Sequence, residues 1–110
     1  MNIALYSIGR DEDDLRFSIR AGGRHAGGIT VHSVMGSAFS YGIAVAPAMR
    51  RQGVARAALV LLFAQMKARG FTNVSVHVAP DNAASLALHR ALGFAPVQRD
   101  ARAVMLVRSL

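Results

Sequence analysis

Apolar and polar residues alternate along the first half of the chain, the period of strands packed on one side. Residues 2–8 form the first such stretch, which the pattern ends near Gly9. In residues 15–21, Leu15, Phe17 and Ile19 alternate with Arg16, Ser18 and Arg20. Residues 25–34 make the return arm, and Gly22 and Gly23 between the two suit a tight hairpin because glycine tolerates positive φ. Gly27 and Gly28 inside that arm predict a bulge or a flat patch. A further strand, 37–45, is entered through Gly36 and closed by Pro47, which holds Ala46 extended.

The second half changes period. Val54, Ala57, Ala58, Leu61, Leu62 and Met66 recur at helical spacing and predict a helix over 51–69. Leu59, Val60 and Phe63 widen its apolar face, and Gly70 suits its C-terminal cap. Val74, Val76 and Val78 alternate with Ser75 and His77 in a strand over 74–78. Asp81 or Asn82 caps a second helix that ends at Leu92 and Gly93, and residues 94–98 and 104–108 are closing strands. Strand, long helix and strand from 37 to 78 make a βαβ unit with a right-handed crossover. The expected fold is therefore α/β (α+β): a mixed, mostly antiparallel sheet with one parallel crossover and packed helices, in one domain over 1–110.

Composition narrows the function. The chain has 110 residues, 53% of them hydrophobic, enough for a core and against disorder. It has no cysteine, which excludes disulfides, thiolate metal sites and cysteine nucleophiles. The longest apolar run, 57–64, is far below the ~18 residues of a membrane span. No basic segment precedes the first apolar stretch, so a signal peptide is not expected and the reading is a soluble cytoplasmic domain without a membrane partner. The net charge is +7, from twelve arginines and Lys67 against six acids, of which four stand together at Asp11, Glu12, Asp13 and Asp14. Such a chain attracts anions, but its arginines are spread along the sequence, which argues against nucleic acid.

The start of the long helix carries the chemistry. Residues 47–56 read PAMRRQGVAR, with no Ser, Thr, Asp or Asn between Pro47 and Gly53 to cap the first-turn amides. Arg50, Arg51 and Arg56 stand at the positive end of the helix, where cations are unfavourable by roughly 0.3–1 kcal/mol each. Gly53 lowers helix propensity by about 1 kcal/mol relative to alanine. A bound phosphate or pyrophosphate resolves all three conflicts: it accepts from the bare amides, pairs with the arginines and approaches closely over Gly53. Solvated surface arginines are the plainer alternative.

Two segments then resemble a known family. Arg50-x-x-Gly53-x-Ala55 after the strand that ends at Val45 looks like the acetyl-CoA pyrophosphate loop of the GNAT superfamily of N-acetyltransferases. Asn82-x-x-Ser85-Leu86-x-Leu88-His89-x-x-Leu92-Gly93-Phe94 looks like that superfamily's later motif. The resemblance spans about half the chain, 41–94, and implies a GNAT-like fold. It also implies acetyl-CoA as co-substrate and direct attack by the amine of a small-molecule or peptide acceptor. By that likeness, backbone amides of Arg51, Gln52, Gly53, Val54 and Ala55 hold the pyrophosphate, with Arg50 and Arg56 beside it. Ile43, Ala44 and Val45 pair with the pantetheine arm and offer an amide to the thioester oxygen. Residues 74–78 splay away to admit it, and Asn82 and Ser85 lie near the pantetheine.

The departures from the family are as informative. His89 stands where the family keeps a tyrosine that protonates the leaving thiolate, so a general-acid role falls to an imidazole; a half-buried structural histidine is the alternative. No carboxylate lies on 37–45 to act as base, where only Ser40 and Tyr41 are available. Relatives carry two helices between the first two strands, where this chain has only residues 9–14. The acceptor site is therefore expected to be open, or completed by a second copy in a homodimer. The acidic run 11–14 is a candidate for steering a cationic amine, against the plainer reading of a solvated turn. His25, His32 and His77 have no metal-ligand spacing; His77, alternating with valines, can face the cleft. A non-catalytic CoA-binding or regulatory module is the rival reading.

Overall fold

The computed structural model describes residues 2–11 and 14–110. Seven strands form one sheet: β1 (Ile3–Asp11), β2 (Asp14–Ala21), β3 (Arg24–Met35), β4 (Ala38–Val45), β5 (Asn73–Val78), β6 (Ala95–Arg99) and β7 (Val104–Ser109). Two helices accompany them, α1 (Val54–Ala68) and α2 (Ala83–Ala91), with a 3-10 turn at Pro47–Met49. The strand order is β1-β2-β3-β4-β5-β7-β6. Only β4 and β5 run parallel, across the α1 crossover; every other neighbouring pair is antiparallel.

Strand alternation sorts the sheet into two unlike faces. Register places Phe17, Ile29 and Ile43 in one row, and Leu15, Val31 and Tyr41 in the next, on the same face. Phe39, Val74, Val76, Leu106 and Val104 continue this face, and these residues are buried with Leu59, Leu62, Phe63 and Met66 of α1 in one core. Ring contacts fasten both helices to it: Tyr41 lies 5.9 Å from Phe63 of α1 and 6.0 Å from His89 of α2. The opposite face presents Ser18, Gly28, Ala44, Thr30, Gly42, Ser75 and His77. Among the described residues, no helix covers it.

Several boundaries differ from the sequence pattern for identifiable reasons. Gly9 does not end β1. A register shift between Ser7 and Gly9 leaves Ile8 unpaired as a bulge beside the glycine, and β1 pairs with β2 as far as Asp11 opposite Asp14. The expected helix start at 51 gives way to Val54, because Arg51 and Gly53 both take left-handed conformations, φ 61° and 75°. The glycine pair at 22 and 23 turns the β2–β3 hairpin with positive φ at both positions, as its sequence requires. Gly27 marks a close approach: a Cβ there would fall on the carbonyl oxygen of Ala44. Asn82 caps α2, its Oδ1 accepting from the Ser85 amide at 3.1 Å.

Candidate functional site

The parallel pairing of β4 and β5 is short. It runs from Ala38 opposite Asn73 to Ser40 opposite Ser75 and then stops, although both strands continue. Beyond Ser40 the two strands part, leaving a split whose β4 wall is Tyr41 to Val45. The Ala46 amide bonds to Ala26 of β3 at 2.7 Å. Alternation along an extended strand therefore turns the amides of Ile43 and Val45 the other way, toward the split. The splay expected of residues 74–78 is present.

At the outer end of the split the chain passes through the 3-10 turn into α1. The α1 N-cap is Gly53, with no side-chain cap and no acid in the first turn. Among the described residues, no protein acceptor meets the backbone amides of residues 51–56. A Cβ on Gly53 would meet nothing within 4 Å, so the approach to these amides is open. Arg51, left-handed and exposed, adds strain that a non-glycine residue rarely carries. The loop is braced from within: Arg50 Nε donates to the Val45 carbonyl at 3.1 Å, and Gln52 Nε2 to the Ala48 carbonyl at 3.2 Å. Val54 anchors the helix start in the core, Ala55 is half-buried, and Arg56 is exposed. Open amides, open space and three exposed arginines thus meet where the sequence reading expects an anion. A diphosphate fits this donor set, which offers N–H groups and no competing carboxylate.

The inner end of the split holds a pair that sequence spacing did not reveal. His89 is 1% exposed, and its Nε2 lies 2.7 Å from the Tyr41 hydroxyl. Its Nδ1 lies 2.7 Å from the Ser85 carbonyl oxygen and 3.3 Å from the Ser85 hydroxyl. A carbonyl only accepts, so Nδ1 carries the proton. In the neutral ring Nε2 is then an acceptor, and Tyr41 donates to it. Burial lowers the His89 pKa, opposed by the bond to Ser85, which favours this neutral form. Burial raises the Tyr41 pKa, opposed by the nearby charge of Arg108. The general-acid role expected of His89 therefore lacks its proton here: Nε2 has none to give while the ring is neutral, and the ring is out of solvent.

The remaining expectations fall into place around this pair. Asn82 and Ser85 are both used by α2 itself, one as cap and one on His89. Ser40, a candidate base, is buried on the opposite face; its hydroxyl donates to the His32 carbonyl and lies 3.1 Å from His32 Nδ1. Of the acidic run, Glu12 and Asp13 lie outside the described residues. No group of metal-ligating side chains occurs among the described residues. No described helix is long and apolar enough to cross a membrane.

Comparison with known proteins agrees with the geometry. The sequence model of the acetyltransferase (GNAT) family matches residues 2–94. The chain is 33% identical over 89 residues to the ribosomal protein bS18-alanine N-acetyltransferase of Escherichia coli, an alignment covering 81% of this chain. It spans about 60% of that relative's length. The crystal structure of the Escherichia coli ribosomal-protein-S18-alanine N-acetyltransferase superposes with a TM-score of 0.74 at 28% identity, covering 92% of this chain and 70% of that one. The PaiA N-acetyltransferase of Thermoplasma acidophilum, crystallised with coenzyme A, has the same fold: TM-score 0.81, 15% identity, 89% of this chain and 62% of that one.

Proposed function

The chain belongs to the acetyltransferase (GNAT) family, and from that premise we propose that it transfers an acetyl group from acetyl-CoA to a primary amine by direct attack. The observation that carries this reading is the row of bare amides at residues 51–56 at the outer end of the split between β4 and β5. The amides and Arg50, Arg51 and Arg56 hold the diphosphate. The pantetheine arm enters the split and pairs with β4 over Ile43, Ala44 and Val45. The Ile43 or Val45 amide then donates to the thioester oxygen as negative charge develops on it. One such donor is worth about 10²–10³ in rate in other acyl-transfer enzymes.

The amine nitrogen attacks the thioester carbonyl carbon, the C–S bond breaks, and CoA leaves as thiolate. His89 serves this chemistry by position: it holds the Tyr41 hydroxyl and closes the split on the helix-covered face. A protein or peptide N-terminus is the favoured acceptor, by analogy with the relatives that acetylate an alanine of a ribosomal protein.

A calorimetric titration with acetyl-CoA tests the site. Wild type binds, and Gly53→Glu, which sets a carboxylate among the bare amides, does not. Normal binding by that variant would end the assignment of the loop. The non-catalytic reading is favoured by one observation, the Ser85 carbonyl 2.7 Å from His89 Nδ1, which assigns the neutral ring's proton to Nδ1 rather than Nε2. Release of free CoA thiol with alaninamide, an alanine-initiated peptide and spermidine decides between the two.

A further inference from the structure

We propose that His77 is the group that takes the proton from the acceptor amine. This rests on the acetyl-transfer reading above. An α-amino group is mostly protonated at neutral pH and must lose a proton before it can attack. On the helix-covered face the split is closed by Tyr41, His89 and Phe63, all buried in the core. The amine therefore has to arrive from the helix-free face, and its proton must leave there.

That side is open where it is needed. Gly42, two residues past the last parallel pair, carries no side chain, and a Cβ there would meet nothing within 4 Å. On the opposing wall, two residues past Ser75, stands His77, exposed and on the same face. Val76 and Val78 on either side of it turn into the core. Its register partner on this face is Met105 of β7. His32 also lies on this face, but one strand further back and engaged by Ser40.

The step balances without any further reagent. The His77 ring takes a proton from the ammonium, and the freed lone pair forms the C–N bond. The C–S bond breaks and the second nitrogen proton leaves; one of the two protons ends on the CoA thiolate and the other passes from His77 to solvent, giving amide and thiol.

The test compares two probe acceptors, alaninamide and hydroxylamine, the second already neutral near pH 7. His77→Gln should lower kcat with alaninamide by about 10²–10⁴-fold, the usual worth of a general base. Acetyl-CoA affinity and hydroxylamine turnover should be little changed. Equal turnover of alaninamide by wild type and His77→Gln would overturn the assignment. So would a loss confined to His32→Gln. If wild type acetylates neither probe while His77→Gln still binds acetyl-CoA, the acetyl-transfer reading itself fails, and this step with it.

Discussion

Tyr41 and His89 are far apart in sequence and meet through one 2.7 Å hydrogen bond in the core. Removing the hydroxyl leaves the buried Nε2 without its donor. Tyr41→Phe should therefore destabilise the fold by about 1–3 kcal/mol, read from urea unfolding. The pair also makes stability depend on pH. The folded-state pKa of His89 lies below its unfolded value of about 6.5, so the unfolded chain binds the proton first as pH falls. The contribution is fully present above about pH 6.5 and is lost as pH falls through the folded value. Melting curves between about pH 7 and 5 should show the wild-type Tm falling more steeply than that of His89→Gln. The sequence could not announce this contact. A histidine in an apolar helix face reads the same whether its ring nitrogen meets water, cofactor or a tyrosine from a strand. Gly53 was different, because its conflict with helix initiation is local and visible in the residues themselves.

Elements were legible where their period was unbroken, and blurred where glycine had two uses. The alternation of Leu15, Phe17 and Ile19 and the helical spacing from Val54 to Met66 gave both type and face. Gly9 misled because a glycine that ends a strand and one that bulges it look alike without the partner strand. Arg51 misled because arginine is a good helix former and nothing local marks it as left-handed. Gly27 was marked correctly, and its reason is the proximity of β4. Gly27→Ala should cost about 1–3 kcal/mol through overpacking against the Ala44 carbonyl. It should also weaken acetyl-CoA binding, since the displaced strand bears Ala44 and Val45. A loss of stability with unchanged affinity would show that the end of β4 does not hold the ligand. At the other helix, Asn82→Ala should cost about 1 kcal/mol by removing the α2 cap, measured by denaturant midpoint.

For the molecule as a whole, the parallel β4–β5 crossover organises the site. One crossover in an otherwise antiparallel sheet places α1 over one face and its N-terminus at the outer end of the split. Topology was legible from the strand–helix–strand order. The consequence of the short β1–β2 connection was only half legible: an open acceptor side was expected, and among the described residues no helix covers that whole face. Charge patterning told little, because the arginines around residues 50–56 acquire meaning only once the amides beside them are bare.

The two-sidedness of the sheet has an evolutionary corollary. The side chains that hold the fold together sit beneath α1 and α2, while Thr30, Ala44, Ser75 and His77 project from the other side with little core to disturb. Changes at Thr30, Ala44 and Ser75 can therefore accumulate at small thermodynamic cost. Selection for a new acceptor can act on that surface without first having to rescue a failing scaffold.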